Sequence, residues 1–218
     1  MDVAQVRILD LFCRQQQFVF GRMQRLNRWR EQHWSELWKD IESLSETDSD
    51  TGCLFLGNII LAQANCGGSD IRQLHVIDGQ HRLIAIVALL AAMRDIEIER
   101  KSDLKAEELQ RTYLCHPFRS GLDAHKFLLA GEPLASLPII SLGERAGTPD
   151  WVLRAYDFFY DQISQKQVDV ERLVWGALSK IDVITIADEY RSATKMFLAV
   201  SSSGCPTSGA HVKRLLQA

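Results

Sequence analysis

Five consecutive residues, Asp78-Gly79-Gln80-His81-Arg82, set an acid, an amide, an imidazole and a guanidinium around one glycine. The apolar run Leu74 to Ile77 leads into them, and a longer apolar run, Leu83 to Met93, follows at once. Short run, polar knot, long run: the pattern reads as a strand feeding a helix N-terminus. Such a terminus carries unpaired N–H groups and the positive end of the helix dipole, so anions and phosphates suit it. Gly79 would let the backbone approach a ligand closely. Arg82 offers a fork of donors matched to phosphate oxygens, and Gln80 can donate and accept. Asp78 could hold a metal–water shell or orient a nucleophilic water. His81 could shuttle a proton or touch phosphate. A plainer reading has Asp78 capping the helix and Arg82 paired with it.

Two further groups could share the work. Arg22, Arg25, Arg28 and Arg30, with Gln24 among them, form the densest positive cluster and lie just before an amphipathic segment. They could close over phosphates opposite the knot, touch a nucleic-acid backbone, or make a solvated basic loop. Near the C-terminal end, Ser201, Ser202, Ser203 and Gly204 could line a polar pocket or simply terminate a helix. No GxSxG, HExxH, P-loop or GxGxxG motif occurs, which removes support for the common hydrolase, zinc-protease and dinucleotide classes. Trp34 and Trp38 read as core.

These residues need elements to position them. Val3 to Gln15 has the apolar spacing of an amphipathic helix, and Phe18 to Phe20 that of a short strand. Arg30 to Leu44 is a helix whose Trp34, Leu37, Trp38, Ile41 and Leu44 recur on one side. Glu46 to Gly52 is a polar loop. Cys53 to Leu61 and Arg72 to Ile77 are strands flanking the turn Asn65 to Asp70, a hairpin. The helix after the knot runs to about Glu97, and the charged Glu99 to Glu108 is exposed. Pro117, Pro133 and Pro138 break residues 113–147 into loops. Thr148-Pro149-Asp150 opens a helix to about Gln162. Val170 to Leu178 is helical and Ile181 to Ile186 a strand. Ser192 to Val200 and Ser208 to Leu216 are helical. The order gives an α+β fold with a small early sheet and a mostly helical second half.

The 218 residues suit one large domain, and 46% apolar content can fill its core. A formal charge of -3 excludes a globally basic nucleic-acid coat. Cys13, Cys53, Cys66, Cys115 and Cys205 are odd in number and form no CxxC pair, which fits free thiols in a reducing compartment. Leu83 to Met93 is too short to span a bilayer, and no signal segment opens the chain, so a soluble cytoplasmic protein without a membrane partner is expected.

Several segments, in order, resemble one family: the N-terminal domain of GmrSD-type modification-dependent restriction endonucleases. They are Gly21-Arg-Met-Gln24-Arg25-Leu-Asn-Arg-Trp29 followed by Leu37-Trp-Lys-Asp40-Ile41, then Phe55-Leu-Gly57-Asn58-Ile59, then Ile77-Asp78-Gly79-Gln80-His81-Arg82-Leu83, and last Phe197 through Gly204 to Ser208. The resemblance covers nearly the whole chain. It implies a ParB/sulfiredoxin-like core with a small mixed sheet over residues 1–100, which carries the Asp-Gly-Gln-His-Arg motif. A mostly helical extension over 101–218 would complete the same domain. It also implies a nucleotide-binding, NTP-hydrolysing sensor that licenses a nuclease in anti-phage restriction. Asp78 and His81 would be catalytic, with Mg²⁺ held through Asp78. Gln24, Arg25, Gly79, Gln80 and Arg82 would bind a nucleoside triphosphate. Arg22, Arg28, Ser201 and Ser203 would line the pocket or meet DNA. The implied partners are an HNH-type nuclease domain or subunit, DNA and a second copy of the chain. His81 stands where the family has a second Gln, Gly21 for Pro, Met23 and Asn27 for aromatics, and Ser201 for Asn. Sulfiredoxin has Gly-Cys-His-Arg here; with Gln80 in the Cys place, sulfinic-acid repair lacks its thiol. A non-catalytic DNA- or partner-binding module, and a DNA nickase using Asp78 and His81, are the alternatives.

Overall fold

The structure, a computed structural model, describes residues 2–21, 29–46, 52–63, 71–129 and 151–189. The chain opens with strand β1 (Asp2–Arg7) and turns directly into helix α1 (Ile8–Cys13). Strand β2 (Gln16–Phe20) and helix α2 (Glu31–Glu46) follow. Next come β3 (Leu54–Gln63), β4 (Arg72–Asp78) and the long helix α3 (Gln80–Glu99). Helix α4 (Asp103–Leu109), the short strand β5 (Phe127–Leu129), helix α5 (Trp151–Lys166) and strand β6 (Ile181–Glu189) complete the set, with helical turns at Val170–Arg172, Leu173–Ala177 and Leu178–Lys180.

The strands form one six-stranded mixed sheet in the order β1-β6-β3-β4-β2-β5. The fold is α+β. β3 and β4 pair antiparallel as the expected hairpin, while β2 lies parallel to both β4 and β5. Three expectations need correction. Residues 113–147, read as loops, contain the edge strand β5, which pairs parallel with β2. The stretch read as one helix from Val3 to Gln15 divides at Arg7, because its first half pairs antiparallel with β6, Val3 opposite Ile186 and Val6 opposite Val183. Over so short a run the helical spacing of Val3 and Val6 is a weak signal, β-branched valine suits a strand, and tertiary pairing decides it. The sheet is also not confined to the early chain: β6, from the second half, sits between β1 and β3, parallel to β3.

α3 is the centre of the molecule. Every residue from Leu83 to Met93 is fully buried, and a helix apolar on all sides is one wrapped by other elements. β3 alternates: Ile59 and Leu61 join the main core, while Ile60 and Ala62 join a small cluster with Ile186. Tyr156 of α5 donates to the Asp95 carboxylate of α3 at 2.7 Å, which fixes how the two helices sit. At the far edge, the buried Lys126 ammonium donates to the carbonyls of Phe12 (2.6 Å) and Thr112, joining the end of α1 to the helical turn Gln110–Leu114. Burial pushes that ammonium's pKa down to about 8.

Candidate functional site

β4 ends at Asp78 and α3 begins at Gln80, so the corner between them is one residue, Gly79. Its backbone is left-handed, φ 87° and ψ 6°, a region L side chains seldom enter. A Cβ at Gly79 would also lie 3.1 Å from the Asn58 carbonyl oxygen and 3.1 Å from Ile59 Cγ1. The corner therefore needs glycine for its dihedral and for the closeness of β3. Gln80 Nε2 donates to the Val76 carbonyl at 2.8 Å, which ties the first helical residue back to the strand. The N-cap is Gly79, with no side chain capping the first turn, so the plainer reading of Asp78 as cap does not hold. With no side-chain cap, the N–H groups of that turn suit an anion.

Arg82 does not turn to Asp78 either. Its Nη1 donates to the Asn58 carbonyl at 3.0 Å, and its guanidinium lies along Gly57, where a Cβ would stand 3.2 Å from Cζ. Gly57 has φ 109° and sits where pairing with β6 slips between Phe55 and Gly57. Such a bulge bends a strand and re-aims what packs on it. Asp78, at the strand end, is half-buried. No hydrogen bond or ion pair of the described residues engages its carboxylate.

The His81 ring is held among aromatic rings. It lies 6.4 Å from Trp29 at 11° and 5.1 Å from Trp151 at 40°. Trp29 stacks in turn on His33, 5.6 Å away at 20°. The Nδ1 atom of His33 accepts the Arg30 N–H at 3.1 Å, closing the first turn of α2. Trp29 lies just before α2, His81 is in the first turn of α3, and Trp151 opens α5. The starts of three helices, each of 16 residues or more, thus meet at one ring cluster. Their positive dipole ends favour an anion there.

The structure brings Asp78, Gly79, Gln80, His81 and Arg82 together at this corner, as their adjacency in sequence requires. Arg22, Gln24, Arg25, Arg28, Ser201 and Ser203 lie outside the described residues. Gly57 and Asn58 enter the site without having been singled out, and their only sequence signal was the Phe55–Ile59 segment of the family resemblance. Trp29 enters likewise, as the last residue of another such segment, and Trp151 enters with no sequence signal at all. The donor set bears on Mg²⁺: among the described residues no three His, Cys, Asp or Glu side chains gather to hold a metal. Asp78, the last residue of β4, is the one carboxylate of the five-residue motif. That fits a Mg²⁺ carried in on phosphate oxygens and waters, with one carboxylate contact, rather than a cation caged by protein. Among the described residues no helix is long and apolar enough to cross a membrane.

One family model matches the chain. It is described as the N-terminal domain of GmrSD restriction endonuclease, and it covers residues 8–214. No curated protein matches.

Proposed function

The chain belongs to the family of GmrSD restriction endonuclease N-terminal domains, and from that premise we propose that it is the nucleotide-binding, NTP-hydrolysing sensor of a restriction system. It acts in defence against foreign DNA and licenses an HNH-type nuclease domain or subunit. The core it uses is of the ParB/sulfiredoxin type. The observation that carries the reading is the corner itself: an uncapped helix start, an arginine fork held flat against β3, and a carboxylate with no partner among the described residues. Arg82 and the first-turn N–H groups of α3 bind the phosphates. Gln24 and Arg25 bind them from the other side. Asp78 accepts a proton from the attacking water as the water oxygen bonds to the γ-phosphorus and the bond from that phosphorus to the bridging oxygen breaks, giving the diphosphate and inorganic phosphate. A Mg²⁺ on the nucleotide would supply charge neutralisation at the γ-phosphate, with Asp78 as its protein contact.

The test is nucleotide binding and phosphate release by the wild type, Asp78→Ala and Arg82→Ala. Loss of binding in Arg82→Ala and loss of turnover with retained binding in Asp78→Ala are expected. Equal turnover in all three proteins sinks the assignment.

A second reading has an observation of its own. Gln80 is engaged with Val76 and the His81 ring packs between two tryptophans, so two of the four polar side chains of the motif hold the corner together. A site so arranged can bind a nucleotide as a structural effector, or act as a DNA- or partner-binding module, without turning nucleotide over. Salt-sensitive DNA binding by the wild type with no phosphate release at any nucleotide concentration selects this reading.

A further inference from the structure

We infer that Gly57 is a positioning residue for Arg82: the bare backbone of the β3 bulge is the shelf that sets the direction of the guanidinium. The inference rests on the reading of Arg82 as an anion-binding group. Three observations converge on it. A side chain at 57 would stand 3.2 Å from Cζ, 3.4 Å from Nε and 3.5 Å from Nη1 of Arg82, so the absent Cβ is what lets the planar group lie against the strand. The next residue, Asn58, supplies the carbonyl that accepts from Nη1 at 3.0 Å, which fixes the fork's rotation; its other donors have no partner among the described residues. The slip in pairing with β6 falls at the same residue, where φ is 109°. The bulge therefore presents a bare residue and a carbonyl in succession to one side chain. The same Asn58 oxygen lies 3.1 Å from where a Cβ on Gly79 would be. One three-residue stretch of β3, Gly57 to Ile59, thus templates both the strand–helix corner and the arginine one turn further on.

A freely rotating arginine binds phosphate as a point charge does, whereas a pre-aligned fork binds it in two parallel bonds. The shelf should therefore matter through Arg82 and only through Arg82. Three measurements on the whole chain test this. First, the Arg82 Nε–H resonance of the ligand-free protein, assigned by its loss in Arg82→Lys, should be ordered in the wild type with an order parameter of about 0.8 and mobile in Gly57→Ala, below about 0.6. Equal order in both overturns the inference. Second, in titrations with inorganic tripolyphosphate, Gly57→Ala should weaken binding about tenfold when residue 82 is arginine and less than about twofold in an Arg82→Lys background. The same factor in both backgrounds overturns it. A wild type that ignores tripolyphosphate while its Nε–H is ordered sinks the phosphate reading and leaves the shelf standing. Third, where Gly57→Ala alone is too unstable to study, adding Arg82→Ala should restore much of its melting temperature. No recovery places the fault in the backbone dihedral and overturns the inference.

Discussion

Replacing Gly79 by alanine separates the two demands the corner makes. The first is dihedral: a non-glycine residue in the left-handed region loses about 1–2 kcal/mol. The second is room. The new Cβ would meet the Asn58 carbonyl oxygen and Ile59 Cγ1, each at 3.1 Å. Neither neighbour yields easily, because the Asn58 carbonyl already accepts from Arg82 and Ile59 is fully buried. Displacing packed atoms of this kind costs about 1–3 kcal/mol. Against these stands a gain of about 0.4–1 kcal/mol from a less disordered unfolded chain. The net is a loss of about 1–4.5 kcal/mol, which for a chain of this size lowers the melting temperature by about 2–18 °C.

Two other glycines calibrate the number. Gly121 has φ 60°, and a Cβ added there would meet nothing within 4 Å, so its alanine variant feels the dihedral and no contact. Gly21 has open space and an ordinary dihedral, so its alanine variant should be neutral or slightly stabilised. Thermal and urea unfolding of the three variants, compared side by side, should give the order Gly21→Ala, Gly121→Ala, Gly79→Ala in increasing loss. Gly79→Ala matching Gly121→Ala to within about 0.5 kcal/mol would show that β3 does not press on the corner and would refute the role given to the Asn58 carbonyl.

Lys126 and Cys53 offer tests away from the corner. Lys126 is held to a pKa of about 8 by burial, so its charging penalises the folded state fully below that pH. The penalty is relieved as pH rises toward the unfolded lysine value of about 10.4, a gain of about 3 kcal/mol. Tyr113 opposes it at higher pH: burial first, then the Cys13, Glu108 and Asp10 charges, raises its pKa to about 12, so stability falls once pH passes the unfolded value of about 10. Unfolding free energy should therefore peak near pH 10, and Lys126→Met should abolish the rise from pH 8; a flat wild-type profile over that window contradicts the burial argument. The exposed Cys53 thiol has its pKa raised by partial desolvation and by the Asp182 carboxylate, which accepts from it at 3.1 Å. Asp182→Asn should speed iodoacetamide alkylation of Cys53 at fixed pH by about threefold or more, since rate follows the thiolate fraction. No change would mean that the carboxylate does not govern this thiol.

Much of this was legible from residue spacing, and the exceptions have physical causes. The strand–glycine–helix reading of Leu74 to Met93 matches the observed corner, because an apolar run, a glycine and a second, longer run leave few alternatives. The hairpin of β3 and β4, the helix α2 and the strand β6 were equally plain from their periodicity. The division at Arg7 was not, since it depends on a partner strand nearly the whole chain length away. The role of Gly57 was hidden for a related reason. A glycine inside an apolar strand signals a bulge or a close approach, but which side chain comes to rest on it is a matter of tertiary packing. The aromatic contacts of His81 were invisible in the same way, as they join residues from three separate elements.

Those contacts bear on how a five-residue motif divides its labour. A histidine beside an aspartate and an arginine invites the role of proton carrier, on the strength of adjacency in sequence. Successive residues of a helix, however, point about 100° apart. The structure shows His81 turned to Trp29 and Trp151 while Arg82 turns to β3. Gln80 is turned back to Val76, which leaves Asp78 and Arg82 as the two groups of the motif whose charge can meet a ligand. One carboxylate and one guanidinium suffice to bind a phosphate chain that brings its own cation. They suffice for hydrolysis only if the attacking water is also positioned. His81, by its packing against Trp29 and Trp151, fits a part in joining α2, α3 and α5.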